Sequence, residues 1–512
     1  MSGEDSLYPP AATRRFITAS VMAATVMNSL DSTIANVALP HMQGSVSASQ
    51  DQITWVLTSY IVAAAIMTPL TGWLAGRFGR KRLMLYSIVG FTIASGLCGL
   101  ATGLGELVGF RLLQGIFGAA LVPMSQAILL DINPPERHGP AMAVWGMGAI
   151  LGPIIGPALG GYLTQNYSWR WVFYINLPVG IIAFAGLWFF LAETRNTQKI
   201  RLDAFGFLTL ALGIACLQLM LDRGQNQDWF SSLEIWIECI ASITFFYLFI
   251  VHTLTAKAPF IDLALFKDRN FLFGSIMGFF LGVLIFSVLA LLPPMLEGLM
   301  GYPVVLTGLV TAPRGVGTLI SMVMVGQLIK RVDARILIGA GLVAVAWSTY
   351  RMSGFSLGMD SSLVVSTGLI QGLGTGLIFV PLSTIAFATL DAKYRNEGTA
   401  MFTLIRNVGS SIGISVLQAM TIRNAAKVHA RLIEGVRPDN PAIARAWGDT
   451  DFSSIATLAK INGEVTRQAG MVSYIDSFYA LFIVIILISP LILFMRPPRR
   501  KADDEPVTMH MD

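Results

Sequence analysis

Charge is scarce in this chain. Only 13% of its 512 residues are Asp, Glu, Lys or Arg, while 54% are hydrophobic, and a water-soluble domain carries about 25% charged residues. A soluble protein is therefore excluded. Cysteine is scarce as well: Cys98, Cys216 and Cys239 lie in apolar stretches at no metal-like spacing, so neither a disulfide framework nor a zinc site is expected. There is no GxxxxGK[ST] loop and no HExxH. Nor is there a stretch between apolar segments large enough for a nucleotide-binding domain. Nothing here predicts catalysis, a metal or a cofactor, so any work must draw on an ion gradient. The net charge of +5 does not point to nucleic acid, because the basic residues cluster at the ends of apolar segments.

Long apolar runs are what the chain has in abundance. A helix needs roughly 20 apolar residues to cross a bilayer, and fourteen such segments can be placed. They begin near Phe16, Ile53, Leu83, Leu107, Ala141, Trp171, Asp203, Glu234, Phe271, Val304, Ile336, Ser361, Thr399 and Ile475. Most of the 35 Lys and Arg fall between these segments on one side, which predicts that side, and both termini, to be cytoplasmic. The first segment holds Asp31 and ends in Pro40 without a small-residue cleavage site, so it reads as a retained span.

An internal repeat predicts the architecture. Gly72-x-Leu74-x-x-Arg77 recurs as Gly326-x-Leu328-x-x-Arg331, Gln114-Gly115 as Gln371-Gly372, Val122-Pro123 as Val380-Pro381, and Gly139-x-Ala141-Met142 as Gly398-x-Ala400-Met401. The matches keep their order at a nearly constant spacing, as expected of a duplicated six-helix unit. The expected organisation is a cytoplasmic arm (1–15), an N-terminal six-helix half (16–192), two inserted helices with linkers (193–269), a C-terminal six-helix half (270–496) and a cytoplasmic tail (497–512). An external loop at 424–470, long for a connection and containing helical Ala-rich stretches, Asn440-Pro441 and mixed charge, is expected to be a folded external segment or a docking surface.

Several residues inside spans call for an explanation. Asp31 costs about 2.5–3.5 kcal/mol at a span centre and needs a partner. Arg111 lies at a depth that permits pairing with it, directly or through water. Burial disfavours the charged form of Asp31 and Arg111 favours it, which poises the acid for proton exchange. The repeat puts no acid opposite Asp31; its counterpart is near Ile285. Arg314 is left with a substrate, a carbonyl or Glu297 as alternatives, and Arg406 has no acidic neighbour in sequence. In the fifth segment Gly148, Gly152, Gly156 and Gly160 recur every four residues, a stripe without side chains against which another helix packs closely, here expected to be the tenth. Pro153 and Pro157 bend that segment.

These motifs resemble those of major facilitator superfamily exporters. Gly148, Gly152, Pro153 and Gly156, with Gly160 and Gly161 displaced by the second Gly-Pro157 step, match the antiporter motif gxxxGPxxGG. The stretch LDSTIANVALP, Leu30 to Pro40 and including Asn36, is similar to the LDxTIVNVALP signature of fourteen-helix drug–proton antiporters of the QacA/EmrB type. Gly72 to Arg82 resembles the cytoplasmic loop GxLaDRxGrkr at Gly72, Arg77, Gly79, Arg80 and Lys81, with Gly76 in place of the aspartate. Arg111, Gln114 and Gly115 match RxxQGxgaa, SWRWVFYINLPVG resembles the entry to the sixth helix, and RNVGSSIG, from Arg406, is similar to RxxGxxxG. The resemblance extends over residues 16–496, most like the EmrB-like multidrug export permeases.

The resemblance implies an all-α major facilitator fold, two six-helix halves with two inserted helices, in the bacterial cytoplasmic (inner) membrane. It implies a proton-driven antiporter that exports hydrophobic toxic compounds by alternating access, with Asp31 and Arg111 in proton coupling, the glycine–proline run as antiporter motif and the 72–81 loop as latch. Asn36, Gln114, Gly115, Arg314, Gln371 and Arg406 become cavity or helix-contact candidates. Beyond substrates, protons and lipid, it implies a periplasmic adaptor, an EmrA-like membrane fusion protein, and an outer-membrane channel. A dedicated exporter of one metabolite class (fatty acid, bile acid or siderophore) is the alternative. A non-transporting sensor or scaffold is a further one, against which Asp31 speaks.

Overall fold

A computed structural model describes residues 8–193, 201–329, 331–437, 439–440, 452 and 454–496. The expected cytoplasmic tail, the start of the arm and the centre of the external loop lie outside these residues. Fourteen long helices follow one another: α1 (Ala11–Ser45), α2 (Trp55–Met67, then Leu70–Phe78), α3 (Arg80–Leu100), α4 (Leu104–Ile132), α5 (His138–Asn166), α6 (Trp171–Phe190), α7 (Ala204–Arg223) and α8 (Leu233–Thr255), then α9 (Arg269–Pro294), α10 (Val304–Leu328), α11 (Ala334–Met352), α12 (Ser361–Ala388), α13 (Arg395–Glu434) and α14 (Ile455–Ile488). By length and apolarity 11 qualify as membrane spans, or 12 with the bent pair in α2 taken as one. The remaining two, α1 and α11, stand at expected positions; α1 is diluted by Asn28, Ser29, Asp31, Ser32, Thr33 and Asn36. The 58° bend in α2 falls at Pro69, which has no N–H to give. There the Thr68 hydroxyl donates to the Ala64 carbonyl at 2.6 Å.

The repeat is visible in the packing. α1 packs on α5 as α9 does on α13, and α2 on α4 as α10 does on α12. Single glycines make the close approaches: Gly115 of α4 lies on the Tyr60 carbonyl of α2, and Gly372 of α12 on the Arg314 carbonyl of α10. The inserted α7 and α8 pack on each other, with Ser242 donating to the Gly213 carbonyl at 3.0 Å. α8 turns Leu233, Trp236, Ile237, Ile240, Ile243, Tyr247 and Ile250 outward, as a lipid-facing helix does. α7 touches both sets of six: Thr58 of α2 donates to Asp222, and Ser415 of α13 donates to the Leu221 carbonyl at 2.8 Å.

Two expectations are corrected. The glycine stripe of α5 faces α1, not the tenth helix: Gly148 lies against Met22, Gly152 against the backbone of Ser29 and Leu30, Gly156 against Thr33, and Gly160 against Ile34. The small side chains of Ser29 and Thr33, one turn apart, make α1 the matching surface, and Thr33 donates to the Gly152 carbonyl at 3.2 Å. Gly161 has no neighbour close to it. α5 meets α10 through Ile154, which fills the space above Gly315. The second correction is the loop at 424–470. Residues up to Glu434 continue α13, and residues from Ile455 already belong to α14, well before the expected start near Ile475. Among the described residues, the helical stretches expected inside this segment are thus extensions of α13 and α14.

Candidate functional site

Asp31, fully buried in the middle of α1, is held by three N–H donors from two other helices. Arg111 of α4 donates Nη1 to Oδ2 at 2.6 Å, Gln114, one turn on, donates Nε2 to Oδ1 at 2.8 Å, and Asn176 of α6 donates Nδ2 to Oδ1 at 2.8 Å. Arg111 is just as enclosed. Its Nη1 also reaches Gln114 Oε1 at 2.8 Å and its Nε the Val56 carbonyl at 3.1 Å, while its guanidinium lies 4.3 Å from the Tyr60 ring centroid. Tyr60 accepts from Asn28 at 3.0 Å, and Asn176 also reaches Ser95 at 3.0 Å. A buried ion pair repays desolvation only when its remaining lone pairs and protons are satisfied, and this network does that with α1, α2, α3, α4 and α6. The expected Asp31–Arg111 pair is therefore direct, and Gln114 belongs to it. Asn176 was not foreseen; its only signal is an amide among the aromatics of WRWVFYINLPVG.

The other six helices lack this network. Gly368 holds, relative to Gln371, the place that Arg111 holds relative to Gln114, and Arg314 comes in from α10 to lie over it, Cβ 3.6 Å from where a Gly368 Cβ would be. Arg314 Nη2 donates to the Ile285 carbonyl at 2.9 Å. Of its three expected alternatives the carbonyl is the one observed, at the residue that matches Asp31 in the repeat. Gln371 is buried with its Oε1 unpartnered, as is the Nε of Arg406. Asn36 is exposed near the end of the α1 span and joins none of these groups.

At the opposite end the stretch 72–81, expected as a loop, is instead the end of α2 and the start of α3 with Gly79 alone between them, and it meets the second set of six helices. Asp131, at the end of α4, pairs with both Arg80 and Arg395, the latter at 3.0 Å; these residues begin α3 and α13. Gly72 packs on Glu397 of α13, where a Cβ would come within 3.1 Å. Lys81 donates to the Trp188 carbonyl at 2.8 Å. Gly79 has φ +90°, a left-handed conformation that glycine adopts without strain, and Arg77 is exposed. Asp131 and Arg395 were unnoticed in the sequence, and Asp131 is the acid that pairs with Arg80 at this end.

The sequence pattern of the Major Facilitator Superfamily matches residues 21–414. The chain belongs to the major facilitator superfamily. Among similar proteins, this major facilitator chain is 36% identical over 488 residues to the multidrug export protein EmrB of Escherichia coli K12, covering 94% of this chain and 95% of that one. It is also 36% identical over 499 residues to the fatty acid resistance protein FarB of Neisseria gonorrhoeae, covering 96% and 98%. Solved major facilitator structures share the fold. The proton:xylose symporter XylE aligns with a TM-score of 0.60 at 13% identity over 94% of this chain and 96% of its own. The human organic anion transporter MFSD10 aligns with 0.58 at 15% over 93% and 100%. The chain is thus an EmrB-like, multi-pass membrane transporter of this superfamily.

Proposed function

We propose that this protein is a proton-driven antiporter that exports hydrophobic toxic compounds across the bacterial inner membrane by alternating access, with both termini cytoplasmic. The observation that carries the reading is the enclosed Asp31 carboxylate, locked to Arg111, Gln114 and Asn176, in a chain so similar to a multidrug exporter. A proton delivered to Asp31 competes with Arg111 for the same oxygens. Coupling follows if the pair opens in one orientation of the two sets of helices and closes in the other. One proton falling through 100 mV supplies about 2.3 kcal/mol, enough to concentrate a neutral substrate tens of times. The test is uptake of a hydrophobic dye into proteoliposomes with and without an imposed pH gradient; uptake indifferent to the gradient would sink the reading.

The similarity to a fatty acid resistance protein supports a second reading, a dedicated exporter of one acid class. Growth protection against a panel of unrelated toxic compounds separates the two, since protection against fatty acids alone favours the dedicated exporter. In either case we propose that the helical hairpin formed by the ends of α13 and α14 docks a periplasmic, EmrA-like adaptor and, through it, an outer-membrane channel. Its exposed Leu432, Ile433, Ile455 and Leu458 supply apolar surface for such a contact.

A further inference from the structure

Among the described residues, two buried N–H donors have no acceptor: the Nε of Arg406 and the indole Nε1 of Trp145. Both lie against one ring. Phe379 of α12 stacks on Trp145 of α5, ring centroids 5.6 Å apart and planes 12° apart, and the Arg406 guanidinium carbon of α13 sits 5.6 Å from the same centroid. Trp145 is 0% exposed and Arg406 9%. Thr403, one turn from Arg406 on α13, has a buried hydroxyl that is also without a partner. None of the ion pairs among the described residues includes Arg406. Arg314 is equally buried and has only a carbonyl. Where Arg111 is neutralised by Asp31, these two guanidiniums carry uncompensated charge.

The ring contact offsets part of the cost of burying Arg406, but it accepts none of its N–H groups, and buried donors are rarely left so. Arg406 also lacks a counter-charge, so an oxyanion is the acceptor that suits it best, since charge-assisted bonds to guanidinium are the strongest available, and Trp145, against the same ring, offers a second donor. The surroundings are apolar. Met322 and Phe379 both close on Gly146, within 3.0 and 3.3 Å of where its Cβ would be. Met322 also lines a cavity of about 640 Å³ between α5 and α10, with Ala143, Val144, Met147 and Val323 and, among polar residues, Gln327 and Arg331. Trp145 and Arg406 come from different sets of six helices, so a ligand held by both would sit on the seam that alternating access opens.

We propose that Trp145, Phe379 and Arg406 form the head-group site for a lipophilic organic anion, a carboxylate or sulfonate whose apolar body extends toward the α5–α10 cavity. This deepens the exporter reading and rests on it. The test is equilibrium dialysis of the purified full-length protein in detergent micelles, without any gradient, against 2-naphthalenesulfonate and trimethyl(2-naphthyl)ammonium, with protein-free micelles as background. The wild type is expected to bind the sulfonate at least tenfold more tightly than the ammonium. Arg406→Gln should weaken the sulfonate at least tenfold while leaving the ammonium unchanged or tighter. Arg406→Lys should keep part of the preference, and Trp145→Phe, which keeps the ring stack, should weaken the sulfonate about threefold. Equal sulfonate affinity in wild type and in Arg406→Gln of native elution profile, or an ammonium bound more tightly by the wild type, would overturn the proposal. So would a wild type that binds no sulfonate. Sulfonate binding that follows this pattern alongside uptake indifferent to a pH gradient would instead remove only the antiporter reading.

Discussion

Asp31 can take a proton only after something moves, because Arg111, Gln114 and Asn176 occupy its oxygens and no part of it is exposed. Asp31→Asn keeps the shape but removes the charge that the proton would cancel. Gradient-driven accumulation in proteoliposomes should then fall to the protein-free background while downhill exchange of substrate persists; accumulation that survives in Asp31→Asn would place the proton site elsewhere, with Asp222 and Glu297 next to test. Removing the other partner is a stability experiment. Arg111→Ala leaves a dry, unpaired carboxylate, at a cost of about 3–5 kcal/mol, whereas Asp31→Asn leaves the Arg111 guanidinium without its counter-charge but keeps one acceptor oxygen, the Val56 carbonyl and the Gln114 oxygen for its N–H groups. Arg111→Ala should therefore give the lower yield of folded protein, judged by elution profile. The pair itself was legible in the sequence, because a charge inside an apolar run demands a partner and helix geometry fixes its depth. Asn176 was not, because a neutral amide costs little at a helix entry and carries no such demand.

The glycines of α5 differ in what they touch, and so should their substitutions. Gly152 lies against the backbone of Ser29 and Leu30, which cannot yield, whereas Gly148 lies against the flexible end of Met22. Gly148→Ala is therefore expected to change stability by less than about 0.5 kcal/mol, and Gly152→Ala to destabilise by about 1–3 kcal/mol through overpacking. Thermal unfolding in detergent compares them; equal shifts would contradict the backbone contact. Gly152→Leu should part α5 from α1, the helix that carries Asp31, and yield export that leaks. A four-residue period reveals that a stripe exists and which residues form it, but it names no partner. Only Ser29 and Thr33, spaced to match it on α1, decide that. The repeat was readable for the same reason in reverse, since order and spacing along the chain are what a sequence records directly.

At the end of the molecule that holds residues 72–81, Asp131 pairs with Arg80 within the first six helices and, through Arg395, ties them to the last six. Asp131→Asn breaks both. The groups are only partly buried, so losing the Arg395 pair, the one that crosses between the two sets, costs about 1 kcal/mol, enough to shift the balance of orientations several-fold toward opening at that end. Labelling of a cysteine introduced at Ala143, in the cavity between α5 and α10, should quicken accordingly, and unchanged labelling would mean that the clamp does not set the balance. At the other end, deleting 430–465 should abolish co-purification with an adaptor while leaving the protein in the membrane. α13 is one unbroken helix of 40 residues, about 60 Å long at 1.5 Å per residue and roughly twice the hydrocarbon thickness. Thr421–Ser477, Asn424–Asp476 and His429–Asn462 fasten it to α14 along the way. Such a pair of rods is a lever. Under the proposed alternating access its inner arm would turn with the last six helices, while its length leaves an outer arm beyond the hydrocarbon. A rigid-body rotation of about 15°, a size known for subunit rotations, would swing a tip about 25 Å out through about 6 Å, so each cycle of the proposed rocking would deliver a mechanical stroke to an adaptor that grips that tip.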